Sequence, residues 1–151
     1  MSNCYASVSL YFGDQLCYNT TMEENFVIDN ISYSVYYDKN SLDKILEHLG
    51  LINGSKFIAL ALLCYPCAGN KLKKVWNALS LKSGLSPSTV AVHIRNGLIS
   101  AEYNGGLKNI DDVLGVDFYD YDFGLTSKNF LAVLSRHLVK NRIIIAKIVE
   151  K

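Results

Sequence analysis

A chain of 151 residues, 50% of them hydrophobic, carries enough apolar material for one core and too little for two. Only 19% of the residues are charged, yet the longest apolar run, FIALALLCY at 57–65, is far short of a bilayer span. A soluble protein is therefore expected; the opening MSNCYASVSLYFGDQ lacks the basic, apolar and small-residue segments of an export signal, so a cytoplasmic location is the default expectation.

In chain order, ASVSLYF and ISYSVYYD alternate apolar with small polar residues and are rich in Val, Ile and Tyr, which predicts strands, with turns at Gly13-Asp14 and Asp29-Asn30. Residues 1–40 thus read as a β-rich extension. At Ser41 the period changes: Leu42, Ile45, Leu46 and Leu49 repeat at helical spacing behind a serine N-cap and before Gly50. A second helix, GSKFIALALLCY, is apolar nearly all round and stops at Pro66. The third, NKLKKVWNALSLKS, gathers Leu72, Val75, Trp76 and Leu79 on one stripe and ends at Gly84. The fourth opens sharply at Ser86, with Pro87 where its missing N–H costs nothing, and buries Val90, Ile94 and Leu98. A short fifth helix is carried by Ile110, Val113 and Leu114, and the acidic, aromatic VDFYDYDFG that follows reads as a solvated loop or edge strand. A sixth helix spans Ser127 to about Val139, with Phe130, Val133, Leu134 and Leu138 inward, before RIIIAKIVEK, which is β-like and suited to pair with the N-terminal strands.

The net charge of +1 hides a segregation. Between His48 and Ala101 there is no acid, against Lys56, Lys71, Lys73, Lys74, Lys82 and Arg95; Glu102 to Phe123 holds six acids and one lysine; the segment from Gly124 onward is again basic. A third of a chain without carboxylates is a candidate surface for a polyanion, since phosphate contacts supply most of the affinity for nucleic acid. The alternative is an ordinary solvated face paired with the acidic blocks.

The four cysteines include a CYPC pair at Cys64 and Cys67, but no second CxxC completes a zinc set, and the pair ends a helix instead of following a strand, so buried or half-buried thiols in a reducing compartment are expected. His48, His93 and His137 lie on three different helices, none beside a nucleophile motif, and no glycine-rich phosphate loop is present. No catalytic residue, metal ligand or cofactor is assigned, and the chain is not expected to be an enzyme.

Two helices joined through a short Gly-containing turn, the first bearing lysines and the second entered by polar capping residues, form the pattern of a helix-turn-helix over 71–101. A helix N-terminus offers free N–H groups and partial positive charge to a phosphate, and side chains of the first two turns can reach base edges. The residues expected to contact duplex DNA are Lys73, Lys74, Lys82, Ser86, Ser88, Thr89, Val92, Arg95 and Asn96.

From Leu42 to Val139 the element order and the segments ILEHLGLINGSKFIALAL, SPSTVAVHIRNGLISA, IDDVLG and LTSKNFLAVLSRHL resemble the C-terminal DNA-binding effector domain of the sporulation response regulator family, stage zero sporulation protein A. The resemblance implies a helical domain that binds DNA through its helix-turn-helix, places Ser88 and Thr89 at phosphates and Arg95 with Asn96 one turn further along, and suggests a dimer. It lacks the receiver domain, and Ala91 and Val92 stand where that family has a Glu-Arg pair; valine offers a thymine methyl contact where arginine grips guanine, so the target sequence should differ.

The expected architecture is therefore mainly α: a six-helix, bundle-like domain over 41–140 containing a helix-turn-helix, with a small β extension from residues 1–40 and the 141–151 tail. Residues 1–40 read either as an accessory sheet that completes the core or as an arm for homodimerisation or a protein partner. Two functions are carried forward: a transcriptional regulator that binds double-stranded DNA with altered specificity, and a protein-interaction module or antagonist that keeps the effector fold.

Overall fold

The computed structural model describes residues 3–4, 10–12, 15–17, 21–51 and 56–149. The described residues are mainly α with a β element: six α-helices and a four-stranded antiparallel sheet. Short strands β1 (Asn3–Cys4), β2 (Leu10–Phe12) and β3 (Gln15–Cys17) precede the long hairpin β4 (Thr21–Ile28) and β5 (Ile31–Asp38). The helices are α1 (Lys39–His48), α2 (Lys56–Cys64), α3 (Leu72–Ser83), α4 (Pro87–Tyr103), α5 (Ile110–Leu114) and α6 (Ser127–Lys140), and strand β6 (Ile144–Ile148) closes the series. The sheet order is β1-β4-β5-β6, and β2 pairs with β3 in a separate ribbon.

The hairpin turns at Asp29 and Asn30, whose φ values of 53° and 65° are the paired left-handed residues of a type I′ turn, the geometry that matches the twist of two strands joined by two residues. Its register sets Glu23 opposite Tyr36 and Phe26 opposite Tyr33, and β6 runs antiparallel along β5 with Ile144 opposite Tyr37. The turn expected at Gly13-Asp14 and the start of the expected second helix, before Lys56, lie outside the described residues.

Helix α1 starts earlier than its apolar period suggests. Asp38 is the N-cap in place of Ser41: its carboxylate accepts from the Ser41 amide at 3.3 Å and the Ser41 hydroxyl at 3.0 Å. Because Asp38 is also the last residue of β5, the sheet runs directly into the helix. Pro66 ends α2 within a single 3₁₀ turn, Tyr65–Cys67.

Phe26, Val35, Tyr37 and Ile144 of the sheet join Ile58, Leu62, Val75, Leu79, Ile94, Phe130 and Leu134 of the helices in one continuous core. Each such large side chain contributes about 1.5 to 3 kcal/mol by leaving water. In α6, Leu131 lies fully inside and Val133, expected inward, is only half-buried. The segment 116–123 is a loop, held by Asp111, whose Oδ1 accepts from the amides of Phe118 at 2.8 Å and Tyr119 at 2.7 Å.

Candidate nucleic-acid interface

Gly84 caps α3 in the left-handed conformation at φ 77°, a backbone state that glycine enters without steric cost, and its amide donates to the Ser80 carbonyl at 2.9 Å. Two residues later Ser86 caps α4: its Oγ accepts from the Thr89 amide at 3.2 Å and lies 2.8 Å from the Thr89 hydroxyl and 3.2 Å from that of Ser88. The Ser80 hydroxyl donates to the Leu85 carbonyl, which fixes the connection to the body of α3. From Ser83 to Thr89 every residue is exposed, so the tip stands clear of the sheet.

Val90, Ile94, Leu98 and Ala101 form the buried ridge of α4. At 100° per residue Ser88, Val92, Arg95, Asn96, Ile99 and Tyr103 fall on the opposite side, and all six are exposed. From Ser88 to Asn96 the stripe spans about 12 Å, close to the width of a B-DNA major groove. It holds one cation and no carboxylate. Glu102, in the last turn, is turned toward the loop after α5: its carboxylate lies against Gly124 and accepts a hydrogen bond from Tyr119, whose hydroxyl is pushed upward in pKa by burial first and by that carboxylate second.

The lysines of α3 divide. Lys73 is exposed with no ion-pair partner among the described residues. Lys74, expected at a phosphate, is paired instead with Asp29 at the hairpin turn, Nζ to Oδ2 2.5 Å. Lys82 is committed more fully: its side chain is 19% exposed, its ammonium lies 3.2 Å from Glu24 Oε1, donates to the Asn25 carbonyl at 2.7 Å and sits 5.1 Å above the centre of the Phe26 ring. Both pairings share one cause, that α3 packs on β4 and the sheet supplies the counter-charges. Lys71 and Lys73 at the start of α3, and Arg95 on α4, are exposed.

Both CYPC thiols are raised in pKa by burial. Cys64 is fully buried and held well above the usual thiol range by desolvation, and Cys67 is pushed up to about 11 by the same cause. Among the described residues no three His, Cys, Asp or Glu side chains are grouped to hold a metal ion. His93 stacks on Phe57, ring centres 5.4 Å apart, and His48 contacts Asp112 at 3.3 Å. No described helix is long and apolar enough to cross a membrane.

Comparison of the chain with protein-family models, curated proteins and solved structures returns no match.

Sequence reasoning passed over a second surface beside the first. Ile99, Tyr103 and Phe123 are 55%, 93% and 89% exposed at the C-terminal half of α4 and in the neighbouring loop, where Asp117, Asp120 and Asp122 are also exposed. Helical spacing alone marks Ile99 and Tyr103 as continuing the Ser88 stripe; the loop residue that joins them carries no such periodic signal.

Proposed function

We propose that this chain is a DNA-binding regulator in which α3, the Gly84–Ser86 turn and α4 act as a helix-turn-helix, with the N-terminal half of α4 entering the major groove. The observation that carries the reading is the exposed, carboxylate-free stripe Ser88, Val92, Arg95 and Asn96, which begins at a capped and unobstructed helix N-terminus. The first-turn N–H groups and Lys73 meet phosphates, Arg95 and Asn96 reach base edges, and Val92 offers an apolar contact to a thymine methyl. Ser88 and Thr89, small and hydroxylic, allow the close approach. The resemblance to the sporulation regulator's effector domain supports the same assignment, with Ala91 and Val92 implying a different target.

The exposed Ile99, Tyr103 and Phe123 favour a second reading, a protein-interaction module that keeps the helical arrangement. Selection from a random duplex pool separates the two: enrichment of a short shared motif, lost in the Arg95→Ala protein, supports the DNA reader. Recovery of unrelated sequences in proportion to their abundance leaves the interaction module.

A further inference from the structure

Strand β6 is an outer strand of the four-stranded sheet. The Asp38 amide donates to the Ile143 carbonyl at 3.0 Å and the Val149 amide to the Ser32 carbonyl at 2.9 Å, so in this antiparallel register Ile143, Ile145, Lys147 and Val149 direct their backbone groups toward β5. Ile144, Ala146 and Ile148 therefore direct theirs away. Ile144 is covered, but Ala146 and Ile148 are exposed, and no strand pairs with their outer side among the described residues. An uncovered edge of this kind is a template for another extended chain.

Beside this edge runs a groove between β6 and the end of α6. Pro66, Val139, Ile144 and Ile145 give it an apolar lining, and it continues past Pro66 and Val139 toward Ala132. Its rim is basic: Arg136 and Lys140 project from α6 and Arg142 from the turn that follows. Among the described residues none of these three forms an ion pair with a carboxylate. Lys147 adds a cation on the opposite face of the strand, over the Tyr36 ring at 5.9 Å.

We infer that β6 and this groove bind an extended acidic segment of a partner protein, which adds to the sheet as a further strand. Its backbone pairs with Ala146 and Ile148; on the α6 face its side chains are apolar where they enter the Pro66–Val139 groove and acidic at the rim beside Arg136, Lys140 and Arg142, and on the other face a carboxylate meets Lys147. A second copy pairing β6 with β6 is disfavoured by the same charges, since it would set Arg142 and Lys147 of both chains along one seam. A nucleic-acid strand would satisfy the cations but would not reproduce the alternating amide pattern of a β-strand. This site lies on α6 and β6, apart from α4, and stands or falls separately from the DNA-reading assignment.

The probe is a fluorescent eight-residue peptide with valines at its centre and glutamates at both ends, titrated into the full chain and followed by anisotropy and by amide exchange. Saturable binding is expected, with the Ala146 and Ile148 amides newly protected and the already bonded Ile145 and Lys147 amides little changed. N-methylation of alternate peptide amides should abolish it. Arg142→Asn, which suits the left-handed φ of 57° at that position and so keeps the turn, should weaken it about fivefold, and Arg136→Gln similarly. Absence of binding at low salt, binding that leaves those two amides unprotected, self-association that protects them without peptide, or duplex DNA that protects them in its place would each overturn the inference.

Discussion

The Lys82 ammonium lies 3.2 Å from Glu24 Oε1, which fastens the last turn of α3 to strand β4 at a point where the carboxylate side chain is only 8% exposed. The sheet thereby neutralises a lysine that the chain order places next to the α3–α4 turn. Lys82→Ala takes a charged partner from a carboxylate that is almost wholly out of water, so it should lower unfolding free energy by about 3 kcal/mol in urea titration. The double change Glu24→Leu, Lys82→Met should recover most of that loss, and a DNA affinity that follows Lys82 itself would show that the pair opens on binding.

Gly106 illustrates a different constraint. Its φ of −81° is open to any residue, but an added Cβ would stand 2.8 Å from the Leu49 carbonyl oxygen and 2.9 Å from the Gly50 backbone, where nothing flexible can yield. Gly106→Ala should therefore cost about 1 to 3 kcal/mol by displacing the loop after α4 from the end of α1. Gly105→Asn, at a left-handed position with open space around it, is the tolerated control in the same thermal melts.

Thiol chemistry follows from burial. With Cys67 at about 11 and Cys64 higher, about one Cys67 in a thousand is thiolate at pH 8, against about a quarter for an unperturbed thiol. Iodoacetamide at that pH should label both slowly in the folded chain and rapidly in urea, read by mass spectrometry of the peptide that contains them. Rapid labelling of Cys67 without denaturant would contradict the packing of the 3₁₀ turn.

His137 is held below its ordinary pKa, by desolvation first and by Lys140 second. The unfolded chain then takes up its proton at higher pH than the folded one. Its neutral form contributes stability that is complete above about pH 6.5 and declines as pH falls toward the depressed folded value. Urea midpoints measured from pH 7.5 to 5 should drop, and His137→Gln should flatten that part of the curve.

Much of the fold was legible because local signals agreed with tertiary packing. Ser86-Pro87 and Gly84 mark the α3–α4 junction by capping chemistry alone, and the Val90, Ile94, Leu98 ridge follows from period. The start of α1 was not legible: Asp38 belongs by pattern to the strand, and its capping role comes from a carboxylate that serves both elements. The fate of Lys74 and Lys82 was hidden for a deeper reason. A charge count along the chain cannot register that Asp29 and Glu24, some fifty residues away, fold onto the same face. The pattern of β6 suits it to pair with the N-terminal strands, but its open side and the basic groove beside it depend on which side β5 occupies.

The most direct measurement is the affinity of a fluorescent duplex for the chain across a salt series, with wild type and Arg95→Ala compared. With Lys74 and Lys82 paired to the sheet, Lys71 and Lys73 remain for phosphates and Arg95 for bases, and the logarithm of affinity should fall against the logarithm of salt with a slope of about −2. Arg95→Ala should weaken binding by about 5- to 100-fold, and Lys73→Ala should flatten the slope by about one. No duplex binding at low salt, or binding indifferent to Arg95, would contradict the assignment of α4 as a DNA-reading helix.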